Sequence, residues 1–145
     1  MDTNLVSASK ATIATSKGDI VISLDSKDAP KTVSNFINKA KSGFYNNLTF
    51  HRVEDWVIQG GDPKGNGTGG GDQDTELSDA QFTAGAVGVA RASDINISND
   101  SQFFIVKTDS GFLNKQYTYF GQVTSGMDVV NNTAIGDKII SITIE

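Results

Sequence analysis

Few side chains in this sequence are equipped for covalent or metal chemistry. Among the 145 residues there is no cysteine and one histidine, His51. Disulfide frameworks, thiolate zinc sites and thiol nucleophiles are thereby excluded. A Ser-His-Asp triad would have to run through His51, and no Gly-x-Ser-x-Gly turn offers a nucleophile. Zinc would have to be held by His51 with carboxylates alone. No metal and no cofactor is expected.

What remains is polar side chains set among apolar ones. Phe50-His51-Arg52 is followed by Trp56, Val57 and then Gln59-Gly60-Gly61-Asp62. A guanidinium amid Phe, Trp and Val is costly unless it is paired or faces a cleft. Strand alternation places Phe50 and Arg52 on one face and His51 on the other, so His51 reads as structural. Ser101-Gln102-Phe103-Phe104-Ile105 repeats the juxtaposition, with Gln102 and Phe104 sharing a face. A surface arginine over a hydrophobic patch is the competing reading, and local pattern alone leaves both open.

Two other motifs carry less. Gly65-Asn66-Gly67-Thr68-Gly69-Gly70 has the spacing of a dinucleotide loop. Such a loop must lead into an apolar helix, whereas Asp72, Asp74 and Glu76 follow and would repel a phosphate. Those three acids lack the glycine and terminal bidentate Glu of a calcium loop, and read as a solvated acidic turn.

The elements that must position these residues are short. Ala11–Thr15 and Ile20–Leu24 form a hairpin, and Pro30 opens a helix whose stripe is Val33, Phe36, Ile37 and Ala40, with Gly43 as its stop. Strands follow at 49–53, 56–59, 86–90, 103–106 and 119–123, with a short helix at 127–132. A last strand alternates Ile140, Ile142 and Ile144 with Ser141 and Thr143. Eight strands without a βαβ rhythm point to a mainly β fold, a closed eight-stranded antiparallel barrel capped by helices. One domain is expected over residues 10–145, behind a loose arm at 1–9.

Lys plus Arg is 12 against 17 Asp plus Glu, a net charge of −5. That balance argues against nucleic acid and against anionic membranes, and modestly disfavours acidic peptides in a salt-dependent way. No apolar run approaches the roughly 20 residues of a membrane helix. The start lacks the charged and apolar regions of a secretory signal. A cytoplasmic location is expected, the alternative being an exported domain whose signal has been removed.

Taken in order, Phe50-His51-Arg52, Gln59-Gly60-Gly61-Asp62, Gly67-Thr68-Gly69-Gly70, Ser101-Gln102-Phe103-Phe104-Ile105 and Phe120-Gly121-Gln122-Val123 resemble the cyclophilin family of peptidyl-prolyl cis-trans isomerases. Ala29-Pro30-Lys31-Thr32-Val33-Ser34-Asn35-Phe36 looks like that family's first helix, and the resemblance runs from about Lys10 to Glu145. It implies an eight-stranded antiparallel barrel with a helix over each end, and a monomer acting on proline-containing peptides and folding proteins.

By the same resemblance, Arg52 falls on the catalytic arginine, while Gln59 and Gln102 match glutamines lining the peptide groove. Phe104 and Leu113 match the proline pocket. Trp56 and Val57 stand where Phe and Met are usual, in a segment one residue shorter than is common. Ala90, Arg91 and Ala92 match the strand end that binds substrate backbone, with Arg91 where Asn is frequent. Phe112 lies where many members carry Trp and Tyr117 where many carry His. Because Trp donates to the inhibitor cyclosporin and Phe cannot, weak cyclosporin binding is implied. A non-catalytic proline-peptide binding module on the same barrel is the alternative; the presence of Arg52 favours the enzyme.

Overall fold

The hairpin forms as the sequence predicts. Strands β1 (Lys10–Thr15) and β2 (Gly18–Leu24) meet across a two-residue turn. The Thr15 hydroxyl donates to the Gly18 carbonyl at 2.8 Å and accepts the Lys17 N–H at 3.1 Å. The computed structural model describes residues 5–145; of the expected arm, residues 1–4 lie outside the described residues. The Val6 N–H donates to the Ser34 hydroxyl at 3.0 Å.

Helix α1 (Pro30–Lys41) buries Val33, Phe36, Ile37 and Ala40, the expected stripe. Proline suits its first turn because that N–H would have no partner within the helix. The next two amides, of Lys31 and Thr32, donate to the Glu76 carboxylate at 3.2 and 2.7 Å. Glu76 is therefore a distant helix cap and not part of a solvated acidic turn. Its neighbours form a strand, β5 (Asp72–Asp74), which pairs with β7 (Ile97–Asn99) in a small second sheet.

The main sheet contains β3 (Phe50–Val53), β4 (Val57–Gly60), β6 (Ala86–Val89), β8 (Phe103–Val106), β9 (Tyr119–Ser125) and β10 (Ile139–Ile144) besides the hairpin. Its order is β10-β1-β2-β9-β6-β8-β4-β3, antiparallel throughout. Among the described residues no strand ladder joins the two edges, so regular pairing does not close the barrel. The bridge Thr49↔Lys138 and backbone hydrogen bonds such as Phe50 N–H to Asp137 O, 2.9 Å, connect them instead. A short helix, α2 (Met127–Asn132), adds Val129 and Val130 to the core.

Strand β8 is apolar at every position because both faces of the sheet are covered there. Phe103 and Ile105 enter the main core, where the Phe103 ring lies 5.9 Å from Phe36 of α1. Phe104 and Val106 point the other way, into a smaller cluster with Val57, Phe82, Ala86 and Leu113. A Cβ on Gly88 would stand 2.6 Å from Phe104 and 2.8 Å from Phe82, so only glycine lets those rings lie over β6.

Two bulges overturn simple alternation. In β10 the register shifts opposite Ala14/Thr15, so Ile139 and Ile142 are buried while Ile140 is 55% exposed. In β3, Phe50 pairs with Gly60 and Arg52 with Gln59, leaving His51 as the extra residue. Phe50 and Arg52 consequently do not share a face. Phe50 is buried in the main core and Arg52 projects to the outside.

Candidate active site

The outward bulge places Arg52 at a cavity of about 390 Å³ built on the smaller hydrophobic cluster. Val57, Phe104 and Leu113 supply its buried apolar lining. Trp56 and Tyr117 add aromatic walls, the Tyr117 ring meeting Phe104 edge-on at 5.8 Å. His51 lies in the same lining, so both bulge residues face the cavity, against the expectation that His51 turns away.

The guanidinium of Arg52 is fixed from several sides. Its Nε donates to the Glu54 carboxylate, and its Nη1 to Gln59 Oε1 at 3.3 Å. The Trp56 ring lies 5.5 Å beneath it. Nη2 makes no hydrogen bond among the described residues. Gln59 passes the order on: its Nε2 donates to Gln102 Oε1 at 3.0 Å. Gln102, itself buried, donates to the carbonyls of Gly67 and Gly69 at 3.1 and 2.9 Å.

Those glycines belong to a loop organised by Asp62, which is 1% exposed. Its carboxylate accepts the N–H groups of Lys64, Asn66 and Gly67 at 2.8, 3.2 and 2.6 Å. Burial pushes its pKa up, but the backbone donors outweigh burial and hold it below the ordinary carboxylate value. A Cβ on Gly69 would collide with that carboxylate, so the glycine-rich run wraps an internal anion and not a dinucleotide. Beside it, burial pushes His51 below its ordinary value, which the Asp62 charge opposes and the Arg52 charge reinforces. The His51 Nδ1 is buried without a hydrogen-bond partner.

A fixed guanidinium at the wall of a cavity with an apolar floor can face a proline side chain seated there and donate to its amide. Residues 10–141 match the family described as cyclophilin type peptidyl-prolyl cis-trans isomerase/CLD. The chain belongs to the cyclophilin family. A peptidyl-prolyl cis-trans isomerase of Helicobacter pylori is 41% identical over 145 aligned residues, covering 95% of this chain and 88% of that one. The isomerase ppi1 of Schizosaccharomyces pombe is 46% identical over 125, covering 81% and 79%. A cyclophilin type isomerase of Cryptosporidium parvum has a similar crystal structure, with TM-score 0.87 and 31% identity over 94% of this chain and 98% of that one.

In this cyclophilin the cavity gathers Arg52, Trp56, Val57, Gln59, Ala90, Arg91, Phe104, Leu113 and Tyr117 of the residues singled out in the sequence. Gln102 stands behind Gln59 and lines a second groove of about 580 Å³, as does Ala92. Phe112 is not in the cavity lining; it is 68% exposed, its ring 5.2 Å from Trp56. Ala90 spends its main-chain groups on the protein, its N–H on Gln102 O and its carbonyl on Asn99 N–H. The N–H and carbonyl of Arg91 have no such partner among the described residues. Besides His51, sequence reasoning missed Asn66 and Gly67 as lining residues. The bulge that exposes His51 had no sequence signal, but the Gly-rich loop after Gln59 was a signal for the other two.

Proposed function

We propose that this cyclophilin accelerates rotation about X–Pro bonds without covalent intermediates, through donation from Arg52 to the proline nitrogen in the twisted state. Rotation breaks amide resonance against a barrier of roughly 18–20 kcal/mol and takes tens to hundreds of seconds unaided. As the amide twists, the nitrogen becomes pyramidal and recovers a lone pair. A donor aimed at that lone pair binds the transition state better than the planar ground state, which is what lowers the barrier.

Supporting this reading is one arrangement: Arg52 keeps Nη2 unpartnered while Glu54 and Gln59 hold the rest of its guanidinium. Arginine is always charged and cannot act as a base, so the role is electrostatic. The proline ring would rest on Val57, Phe104 and Leu113, between Trp56 and Tyr117. The free main-chain groups of Arg91 would hold the adjoining peptide unit, with Gln59 beside it. The Cryptosporidium neighbour was crystallised in the presence of the dipeptide Ala-Pro, in keeping with a proline peptide as ligand.

Exchange NMR on a short Ala-Pro peptide tests it. Catalytic amounts of the protein should broaden and exchange the cis and trans proline signals. Peptide binding without faster exchange would instead make the chain a proline-binding module.

A further inference from the structure

The cavity holds a second guanidinium, and its surroundings differ from those of Arg52. Arg91 donates from Nε to Gln116 O at 2.8 Å and from Nη1 to Ala92 O at 2.9 Å. Its Cζ lies 4.5 Å from the Tyr117 ring centre. Three contacts thus fix the plane of the group, and Nη2 makes no hydrogen bond among the described residues. No carboxylate among those residues pairs with it, whereas Glu54 offsets Arg52. Arg91 is therefore the uncompensated charge of the proline cavity, and it lines the second groove as well.

We infer that Arg91 is a specificity-determining residue that selects proline peptides carrying a carboxylate within one or two residues of the proline. The inference rests on the proposed use of the cavity for proline peptides. A planar guanidinium with a free edge matches a carboxylate, and ordering it in advance reduces the entropy lost on binding. The contacts that order it are two neutral carbonyls and an aromatic ring, so they leave its charge in place.

The overall charge of −5 acts in the opposite direction. At physiological salt the Debye length is about 8 Å, so distant charges are screened while a contact pair inside a cavity is screened less. Locally, the preference for the acidic peptide should win. Asp72 and Asp94 line only the second groove, so the preference should be confined to positions near the proline.

Blocked, amidated peptides with Glu, Gln or Lys on either side of an Ala-Pro unit test this, together with a peptide ending in a free proline carboxylate. The last arm separates a chain-terminal carboxylate from a side-chain one. Exchange NMR gives kcat/KM and a titration gives Kd for each. The wild-type protein should favour Glu over Gln about three- to five-fold in low salt on at least one side of proline, the scale of a half-exposed ion pair. Arg91→Gln should bring that ratio to about one, and Arg91→Lys should retain only part of it.

Equal treatment of Glu and Gln by the wild-type protein overturns the inference, and so does an unchanged ratio in a folded Arg91→Gln variant. If no peptide is isomerised, the titrations still read the ratio, so loss of the catalytic reading and loss of this one are separable.

Discussion

Glu54 accepts from the Nε of Arg52 two residues back along the same hairpin, and so decides which edge of the guanidinium is left unpartnered. Without that partner, the group would be held only by Gln59 at 3.3 Å and by the face of Trp56. The pair is 44% and 47% exposed, so its worth to folding is small. Glu54→Gln should leave the fold intact and lower kcat about two- to five-fold, with KM little changed. A rise in KM at constant kcat would show that Glu54 acts on binding and not on the orientation of Arg52.

The environment of His51 gives a pH prediction. Its folded pKa lies below its unfolded value, so the stability linked to the neutral ring is fully present above about pH 6.5 and lost as pH falls through the folded pKa. Ring signals of this single histidine should titrate with a midpoint below 6.5. Turnover should be flat from pH 7 upward to about pH 9, because His51 stays neutral and Arg52 stays charged. A catalytic step in that range would implicate a group outside this scheme.

Asp62 should matter through the loop it holds. Its folded pKa is depressed, so its contribution is complete above the ordinary carboxylate pKa of about 3.9 and disappears as pH falls through the folded value. Asp62→Asn places an amide N–H₂ against backbone donors and should cost about 1–3 kcal/mol by urea unfolding at pH 7. The gap between variant and parent should shrink toward pH 2. Parallel curves across that range would remove the carboxylate from the explanation.

Phe112 gives a prediction about inhibitor binding. By the family resemblance, Phe112 stands where many cyclophilins carry a Trp whose indole N–H donates to cyclosporin, and Phe has no donor. Losing that bond costs about 0.5–1.5 kcal/mol, and more if a buried acceptor is left unpaired. Cyclosporin should bind this protein about ten-fold more weakly than Trp-bearing members. With Phe112 68% exposed beside Trp56, a larger ring fits, so Phe112→Trp should restore part of the affinity in a calorimetric titration. Equal affinity of parent and variant would refute this role.

The legible parts of the molecule were those written in local pattern. The eight strands of the main sheet, the α1 stripe and the turn at Gly18 follow from short apolar or alternating runs, helical spacing and glycine placement. The bulges at His51 and in β10 were not legible, because register depends on the partner strand and shifts every side chain beyond it. The β5–β7 pair escaped notice because its strands have three residues each and are largely polar. Glu76 looked solvated because the amides it caps lie more than 40 residues away in the chain. At the site, most of the residues singled out in the sequence came together around one cavity, while Gln102 and Ala92 line the second groove and Phe112 lines neither.

The most direct test is the rate of cis–trans exchange catalysed by Arg52→Ala, measured on an Ala-Pro peptide beside the parent protein. Donation to the twisted nitrogen predicts a fall of about 10²–10³ in kcat/KM, the scale for deleting one transition-state donor, with the fold intact by circular dichroism. Arg52→Lys should recover little, since an ammonium cannot keep one edge on Glu54 and Gln59 while offering another to substrate. A folded Arg52→Ala variant with parental kcat/KM would contradict the mechanism outright.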